Sequence, residues 1–273
     1  MDHRLDDDAE LAAVLVREAG RLAHGMRNGV TARHKTSAGD LVTAADQAAE
    51  AHIAGRLADE RPGDGLLGEE GTSGEGTTGR TWVIDPVDGT YNFVHGLTWW
   101  CSALALRDGD GVLLGAVHHP HDDQLWLGGR ELPTTRNGTP VHPIADRPLA
   151  DCSVTTYLNP RDFAVPDIVE PFSAMTAPAT ALRIAGSGSM DMAAVADGRI
   201  DLWCQHTVPP WDLLPGHGLV DGAGGTVAQV TVRGVTWALA GPPTAVGEAA
   251  DLLASARTTP RHRPGRDHHL PST

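Results

Sequence analysis

The sequence predicts a layered α/β protein in which helices pack against β-sheets. Amphipathic helical segments alternate with short apolar, strand-like runs along its 273 residues. Between Trp99 and Leu127, strand-like runs follow one another through short turns, which indicates an antiparallel meander. The second half repeats strand and helix, as α/β folds do. A chain of this length can bury a substantial core, either as one large domain or as two smaller ones.

Charge and composition exclude several classes of protein. The formal net charge of −14 argues against sequence-independent binding of nucleic acid, and 41% apolar with 21% charged residues is ordinary for a globular protein. An acidic protein would also repel an anionic substrate unless bound cations reversed the sign at its site. The charge therefore gives a first, weak indication of a metal.

The cysteines and the longest apolar run bear on location. The three cysteines are widely spaced and form no Cys-x-x-Cys pair, which predicts reduced core residues and a cytoplasmic protein. The acidic start of the chain does not resemble a signal peptide. The run from Trp99 to Leu106 is far shorter than the roughly 20 residues that a membrane helix needs. We therefore expect no membrane association.

Two helices are predicted at the beginning of the chain. Apolar residues recur at helical spacing from Leu5 to about Met26. A second helix runs from Thr43, its expected N-cap, to about Glu60. Asp46 lies in the first turn of that helix, where a carboxylate is favoured by the helix dipole whether or not it has a function.

Acidic residues follow two neighbouring predicted strands. The strand Gly65–Gly68 is followed by Glu69. The buried strand Trp82–Ile84 is followed by Asp85, Pro86 is expected to end it, and Asp88 lies in the turn after it. Open α/β sheets build their sites at such strand ends. Carboxylates gathered there are costly unless cations neutralise them, and oxygen ligands suit a hard cation.

Hydrogen-bond donors follow the same carboxylates. Gly89 allows the backbone to approach a ligand closely, and Thr90 is a natural N-cap for a short helix through Phe93. The free N–H groups of that helix would face the same crevice and suit an anion. Carboxylates for a cation beside donors for an anion predict a metal-bound phosphate.

The second half repeats this arrangement in weaker form. The proline-containing stretch from Pro133 to Pro148 is the best candidate for a boundary between two halves. The small-residue loop Gly186–Ser189 precedes a helix N-terminus, and Pro210 begins a helix with Asp212 in its first turn, as a capping acid or as a ligand. From Arg257 onward almost nothing is apolar, so we predict a disordered tail over residues 257–273.

These motifs, taken together, resemble the inositol monophosphatase family of Mg²⁺-dependent phosphomonoesterases. The resemblance rests on Glu69-Glu70, on the Asp85–Thr90 stretch, and on Trp211-Asp212 with the glycine-rich segment through Gly225 behind it. It extends from Lys35 to about Leu253, nearly the whole chain. It implies an α/β/α/β/α sandwich of the inositol monophosphatase and fructose-1,6-bisphosphatase type. A metal-binding half over residues 1–145 and a completing half over residues 146–256 are expected.

The resemblance also implies a site. Two or three Mg²⁺ ions would be held by the carboxylates and one backbone carbonyl of Glu69, Asp85, Val87, Asp88 and Asp212. Thr90 and Asp46, assisted by Glu69, would take a proton from the attacking water, with Lys35 near the site. Asp88, Gly89, Thr90 and Asp212 would bind the phosphate side of the substrate, and Gly186, Ser187, Gly188 and Gln205 the alcohol side.

The activity implied is hydrolysis of a small phosphate monoester by metal-activated water without a phosphoenzyme. Inositol monophosphate is the leading substrate, with inhibition by lithium and a homodimer expected. Histidinol phosphate, a sugar bisphosphate and a 3′-phosphonucleotide are alternatives on the same fold. A non-catalytic protein that binds metal and a phosphorylated ligand is the alternative of another class.

Several residues depart from the family pattern without touching an expected metal ligand. Pro215 replaces a small helical residue, Gly222 replaces an acid, and Trp99-Trp100 make their segment bulkier. Gln205 stands where a glutamate is common and removes a charge from the alcohol side. These departures bear on which alcohol is bound rather than on the reaction.

Overall fold

A computed structural model describes residues 3–27, 33–34 and 41–256. Lys35 and the predicted tail, residues 257–273, lie outside the described residues. The helices of the described chain are α1 (His3–Met26), α2 (Ala44–Glu60), α3 (Thr90–Val94), α4 (Pro166–Thr176), α5 (Gly188–Ala196), α6 (Pro210–Gly222) and α7 (Pro243–Ser255). None of these helices is both long and apolar enough to cross a membrane.

Fifteen strands are found among the described residues. They are β1 (Arg33–His34), β2 (Leu41–Val42), β3 (Gly65–Gly68), β4 (Ser73–Gly74), β5 (Thr81–Asp88), β6 (Cys101–Asp108), β7 (Gly111–His119), β8 (Gln124–Gly129), β9 (Leu132–Arg136), β10 (Thr139–Pro140), β11 (Ser153–Thr156), β12 (Ala181–Ile184), β13 (Leu202–His206), β14 (Thr226–Val232) and β15 (Val235–Gly241).

Two large sheets organise the molecule. The first has the strand order β10-β9-β8-β7-β6-β5-β3-β4 and is antiparallel except for the parallel pair β3 and β5. The second has the order β12-β11-β13-β15-β14, with β11 parallel to both of its neighbours. The meander predicted between Trp99 and Leu127 is therefore confirmed as β6, β7 and β8.

The described residues form five layers that are held together by three apolar cores. Helices α1 and α2 cover one face of the first sheet through Leu15, Ile53 and Trp82. Helices α5 and α6 lie between the sheets, and their apolar residues, Leu219 among them, belong to one core with residues of both sheets. Helices α4 and α7 cover the far face of the second sheet. Burial of each large apolar side chain contributes about 1.5–3 kcal/mol. The order of layers is the predicted α/β/α/β/α sandwich.

Helix α6 lies unusually close to the first sheet. A Cβ atom on Gly222 would come within 2.4 Å of the Leu132 carbonyl oxygen in β9, so only glycine fits this contact. This accounts for the absence of an acid at position 222. Pro215 lies inside α6, beyond its first turn. A proline there removes the N–H bond to the residue four positions earlier, and α6 continues past it.

Two further predictions differ from the structure. Strand β5 does not end before Pro86 but continues to Asp88. The ladder between β5 and β6 is irregular between Asp85 and Asp88, so Pro86 lies where no regular N–H bond is required. The stretch from Pro133 to Pro148 was expected to separate two halves, yet it begins with β9 and β10 of the first sheet. The sheets change between residues 140 and 153, and a domain division near residue 145 stays a prediction.

Candidate active site

The N-terminus of α2 fixes Asp46. Thr43 is the N-cap, and its side chain accepts hydrogen bonds from the N–H groups of Ala45 and Asp46. Asp46 Oδ2 in return accepts from the Thr43 N–H group at 3.0 Å, while Oδ1 accepts from the Thr90 hydroxyl at 3.1 Å. Asp46 thus caps its helix with one oxygen and contacts a second predicted site residue with the other. Burial raises the pKa of this carboxyl group.

Glu69 is placed by the parallel pair of strands. Its N–H group donates to the Ile84 carbonyl at 3.1 Å, which brings it beside Asp85. The buried Glu50 of α2 holds the turn that follows, because its two carboxylate oxygens accept from the N–H groups of Glu70 and Thr72, each at 2.8 Å. Glu50 was not singled out from the sequence. Its place one turn after Asp46 on a helix is the only signal it offers.

Asp85 has a buried carboxylate oxygen without a hydrogen-bond partner in the described part of the chain. Its side chain is buried, and Oδ1 makes no hydrogen bond among the described residues. Burial raises its pKa well above the ordinary value, and the charges of Glu69, Asp88 and Asp212 raise it further. A buried, unsatisfied carboxylate oxygen costs free energy unless a cation or a donor meets it.

Gly89 and Thr90 turn the chain from β5 into α3. Gly89 has a φ of 92°, and a Cβ atom there would lie 3.1 Å from the Ser187 Cβ, so the turn requires glycine. Thr90 was expected to be the N-cap, but Gly89 occupies that position and Thr90 is the first residue of the helix. The Thr90 hydroxyl is therefore released from capping, and it lies 3.0 Å from the Val87 carbonyl oxygen as well as beside Asp46.

The N-terminus of α5 binds Asp88. The N–H groups of Gly188 and Ser189 donate to its two carboxylate oxygens at 3.2 and 2.5 Å. Ser187 caps the same helix by accepting from the Met190 N–H group. Of the loop expected to line the alcohol side, only Gly186 is exposed, since Ser187 and Gly188 are buried. Burial raises the pKa of Asp88 to about 6, although these donors favour the charged form.

Asp212 reaches the cluster from the first turn of α6. Its Oδ2 accepts from the Tyr157 hydroxyl at 2.7 Å. Burial raises the pKa of Asp212 well above the ordinary value, and the negative charge of Asp88 raises it further. Tyr157 was missed by sequence analysis, because one tyrosine at the end of a strand carries no motif.

The fold therefore brings Asp46, Glu69, Asp85, Asp88, Thr90 and Asp212 to one place, while Lys35 lies outside the described residues. The carboxylates interact with one another and with nearby donors. No group of three or more His, Cys, Asp or Glu side chains within the described ranges is already arranged around a common metal position. The donor set is all oxygen, which fits Mg²⁺ rather than a softer ion. Asp85 Oδ1, which has no hydrogen-bond partner in the described part of the chain, points to the same fit.

Gln205 lies behind Tyr157 on β13. Its Oε1 accepts from the Thr156 hydroxyl at 2.7 Å and from the Tyr157 N–H group at 3.4 Å. A backbone N–H can only donate, so this contact fixes which end of the amide faces inward. Its Nε2 has no hydrogen-bond partner among the described residues.

The structure also gives a reason for the large side chain at Trp99, because its indole N–H donates to the buried Asp191 at 2.9 Å.

The sequence matches the inositol monophosphatase family over residues 5–261. The chain belongs to the inositol monophosphatase family. An inositol monophosphatase of Mesembryanthemum crystallinum is 32% identical over 195 residues, 69% of this chain and 72% of that protein. A histidinol-phosphatase of Mycobacterium tuberculosis is 33% identical over 232 residues, 82% and 88% respectively.

Solved structures agree in fold. The extragenic suppressor protein suhB of Bartonella henselae superposes with a TM-score of 0.81 at 26% identity, covering 91% of this chain and 98% of that one. The inositol monophosphatase of Anabaena superposes with a TM-score of 0.79 at 26% identity, covering 93% and 98%. As a member of this family, the protein is a phosphatase, a hydrolase of phosphoric monoesters. The predicted fold and reaction class are confirmed.

Proposed function

We propose that this protein hydrolyses inositol monophosphate to inositol and phosphate with Mg²⁺ as its cofactor. The observation that carries the proposal is the cluster of carboxylates at the ends of β3 and β5 and the start of α6. Asp85 and Asp88 are buried in it, and Asp85 Oδ1 has no hydrogen-bond partner among the described residues. Such a cluster has little other reason to exist, since neighbouring acids that are shielded from water repel one another. Membership of the family supplies the reaction class.

The proposed ligands are those predicted from the sequence: Glu69, Asp85, the Val87 carbonyl, Asp88 and Asp212, for two or three ions. When bound, Mg²⁺ would supply charge stabilisation to the phosphate and lower the pKa of a water molecule. Asp88 and Asp212 are held by donors on one side, so their remaining lone pairs are available to the cation. Uncatalysed hydrolysis of phosphate monoesters is very slow, and about 20 kcal/mol or more of barrier must be removed.

Thr90 and Asp46 are the proposed proton acceptors. The Thr90 hydroxyl can donate to Asp46 Oδ1 and accept a proton from water at its own oxygen. Burial raises the pKa of Asp46, which makes this carboxylate a better proton acceptor than an exposed one. The attack on phosphorus is direct, and no side chain forms a bond to phosphate. The N–H groups of Gly89 and Thr90 are the proposed donors to phosphate oxygens.

Gln205 supports a neutral polyol as the leaving alcohol. Gln205 is buried and its Oε1 is already engaged, so Nε2 is the atom left for the alcohol, and it donates but cannot accept. A hydroxyl oxygen can accept from it, whereas an ammonium group cannot. Histidinol phosphate remains the second candidate, because a histidinol-phosphatase is among the relatives that align over most of their length. Sugar bisphosphates and 3′-phosphonucleotides stay as alternatives on the same fold.

Three further properties belong to the proposal. Inhibition by Li⁺ follows from the expectation that a small hard cation takes one Mg²⁺ position. A cytoplasmic location rests on three cysteines that are all unpaired and buried. A homodimer is proposed from the resemblance, and sedimentation of the purified protein measures it.

A substrate panel tests the proposal. Purified protein is given Mg²⁺ with inositol monophosphate, histidinol phosphate, fructose bisphosphate or a 3′-phosphonucleotide, and released phosphate is measured. We expect the highest kcat/KM for inositol monophosphate. Asp212→Asn should lower kcat/KM by at least ~100-fold, while Asp251→Asn, the same change at an exposed position of α7, should not. Metal binding without release of phosphate from any substrate would favour the non-catalytic alternative.

A further inference from the structure

Tyr157 occupies the space between two of the elements that build the site. It follows β11, and its hydroxyl donates to Asp212 Oδ2 at 2.7 Å. On its other side, the ring edge is so near Gly188 that a Cβ atom there would lie 2.8 Å from Tyr157 Cε1. The phenol thus contacts both the first turn of α6 and the N-terminus of α5, the helix whose N–H groups bind Asp88.

The position of Tyr157 is itself fixed from behind. Its N–H group donates to Gln205 Oε1 at 3.4 Å, and Gln205 also accepts from the Thr156 hydroxyl. The ring lies against Trp203 of the same strand as Gln205, with centroids 6.4 Å apart. Tyr157 is held by its backbone N–H group and by contacts of its ring with Gly188 and Trp203. Its side chain therefore loses little conformational freedom when the hydroxyl makes one more hydrogen bond. It is well suited to fix the orientation of another side chain.

The hydroxyl of Tyr157 restricts how Asp212 can bind a cation. It engages Oδ2 and leaves Oδ1 without this donor, in a carboxylate close enough to Asp88 to feel its charge and close enough to Asp85 to raise the pKa of that group. Without the hydroxyl, the carboxylate could rotate about its Cβ–Cγ bond, and one buried oxygen would lose its donor. Hydrogen bonds from surrounding residues commonly orient metal-binding carboxylates in this way.

We propose that Tyr157 is a positioning residue, which presents Asp212 to a divalent cation by holding one of its carboxylate oxygens. The inference rests on the proposed function in one respect, the use of Asp212 as a metal ligand. It concerns an interaction of this chain's own residues and assigns a role to a residue that no sequence motif indicates.

Binding of Mn²⁺ in the absence of substrate tests the proposal. Free Mn²⁺ is measured by electron paramagnetic resonance for the parent and for Tyr157→Phe. Tyr91→Phe is a matched control, because Tyr91 is the other of the two tyrosines and is 51% exposed. We expect about 10-fold weaker Mn²⁺ binding for Tyr157→Phe, and parent affinity for Tyr91→Phe. Thermal unfolding in EDTA establishes that each variant is folded.

A spectroscopic measurement tests the proposal with Tyr157 unchanged. Full-length protein labelled with 3-fluorotyrosine should give two ¹⁹F resonances, which Tyr91→Phe assigns. Addition of Mg²⁺ should shift the Tyr157 resonance and leave that of Tyr91 in place. A Tyr157 resonance that does not respond to saturating Mg²⁺ would overturn the proposal.

The outcomes separate this proposal from the proposed function. If Asp212→Asn weakens Mn²⁺ binding but Tyr157→Phe binds it with parent affinity, Asp212 is a ligand and the role of Tyr157 is refuted alone. If the parent binds no Mn²⁺, both proposals are refuted. The loss caused by Tyr157→Phe should also disappear in the Asp212→Asn background, since the acceptor is then changed. An undiminished loss in that background would contradict the positioning role.

Discussion

The Thr90 hydroxyl lies 3.1 Å from Asp46 Oδ1, and this contact joins α3 to α2 across 44 positions of the sequence. The hydroxyl has one proton and two acceptors in reach, Asp46 and the Val87 carbonyl at 3.0 Å. Donation to Asp46 leaves both lone pairs of the hydroxyl oxygen available to a water molecule. The contact is therefore suited to proton transfer from a nucleophilic water towards Asp46.

Removal of that hydroxyl should abolish most of the activity. We expect Thr90→Ala to lower kcat by about 10²–10⁴-fold, the range typical of a lost acid–base group. Thr90→Ser keeps the hydroxyl and should retain most of kcat. Thr231→Ala, on an exposed part of β14, controls for loss of a threonine hydroxyl elsewhere. Equal kcat values for the alanine and serine variants at position 90 would show that the hydroxyl has no part in the reaction.

Glu50 should matter although it is not a proposed ligand. Its two oxygens satisfy the N–H groups of Glu70 and Thr72, and the amide of Glu50→Gln can accept only one of these bonds. We expect a loss of about 1–3 kcal/mol in stability for the unsatisfied N–H group. Displacement of the turn that carries Glu69 should also lower kcat/KM by about 10-fold or more.

The control for this prediction lies on the same helix. Glu60 forms an exposed ion pair with Arg56, and such pairs contribute little to stability. Glu60→Gln should change the free energy of unfolding by less than about 0.5 kcal/mol. Urea unfolding of the two variants in EDTA measures the difference, and equal effects at the two positions would contradict the role of Glu50.

Stability without metal should fall as the pH rises. Burial raises the pKa of Asp88 to about 6 and those of Asp85 and Asp212 well above their usual range. Above about pH 4 the unfolded chain releases these protons, whereas the folded protein retains them until the pH passes the raised values. The acids therefore stabilise the fold at low pH, and this contribution is lost as the pH rises through 6 and beyond.

Divalent cations should reverse that loss. Mg²⁺ binds the deprotonated carboxylates, so its stabilising effect should grow between about pH 5 and pH 8. The measurement is the difference in Tm between Mg²⁺ and EDTA at several pH values. A difference that stays constant over this range would mean that the raised pKa values do not belong to the cation site.

Local patterns predicted most of the elements and the acids, whereas their partners depended on the fold. The periodicity of α1 and the cap at Thr43 are local properties, and both predictions were confirmed. The predicted end of β5 was wrong, because a proline interrupts a regular ladder of hydrogen bonds but is tolerated where the ladder is irregular, as it is at Pro86. Glu50 and Tyr157 could not be found, since each acts on a residue distant in sequence. Contacts of that kind leave no spacing to recognise.

Gln205 provides the sharpest test of the substrate. Its Oε1 is held by the Tyr157 N–H and the Thr156 hydroxyl, so Gln205→Glu would keep these contacts and replace only the other end of the amide, Nε2, by an oxygen. That change turns a donor into a negatively charged acceptor, which attracts an ammonium group. We expect the ratio of kcat/KM for histidinol phosphate to that for inositol monophosphate to rise, by on the order of 1 kcal/mol in free energy. Gln229→Glu, at an exposed position of β14, adds the same charge far from Gln205 and should leave the ratio unchanged. An unchanged ratio in Gln205→Glu would mean that this side chain does not face the alcohol.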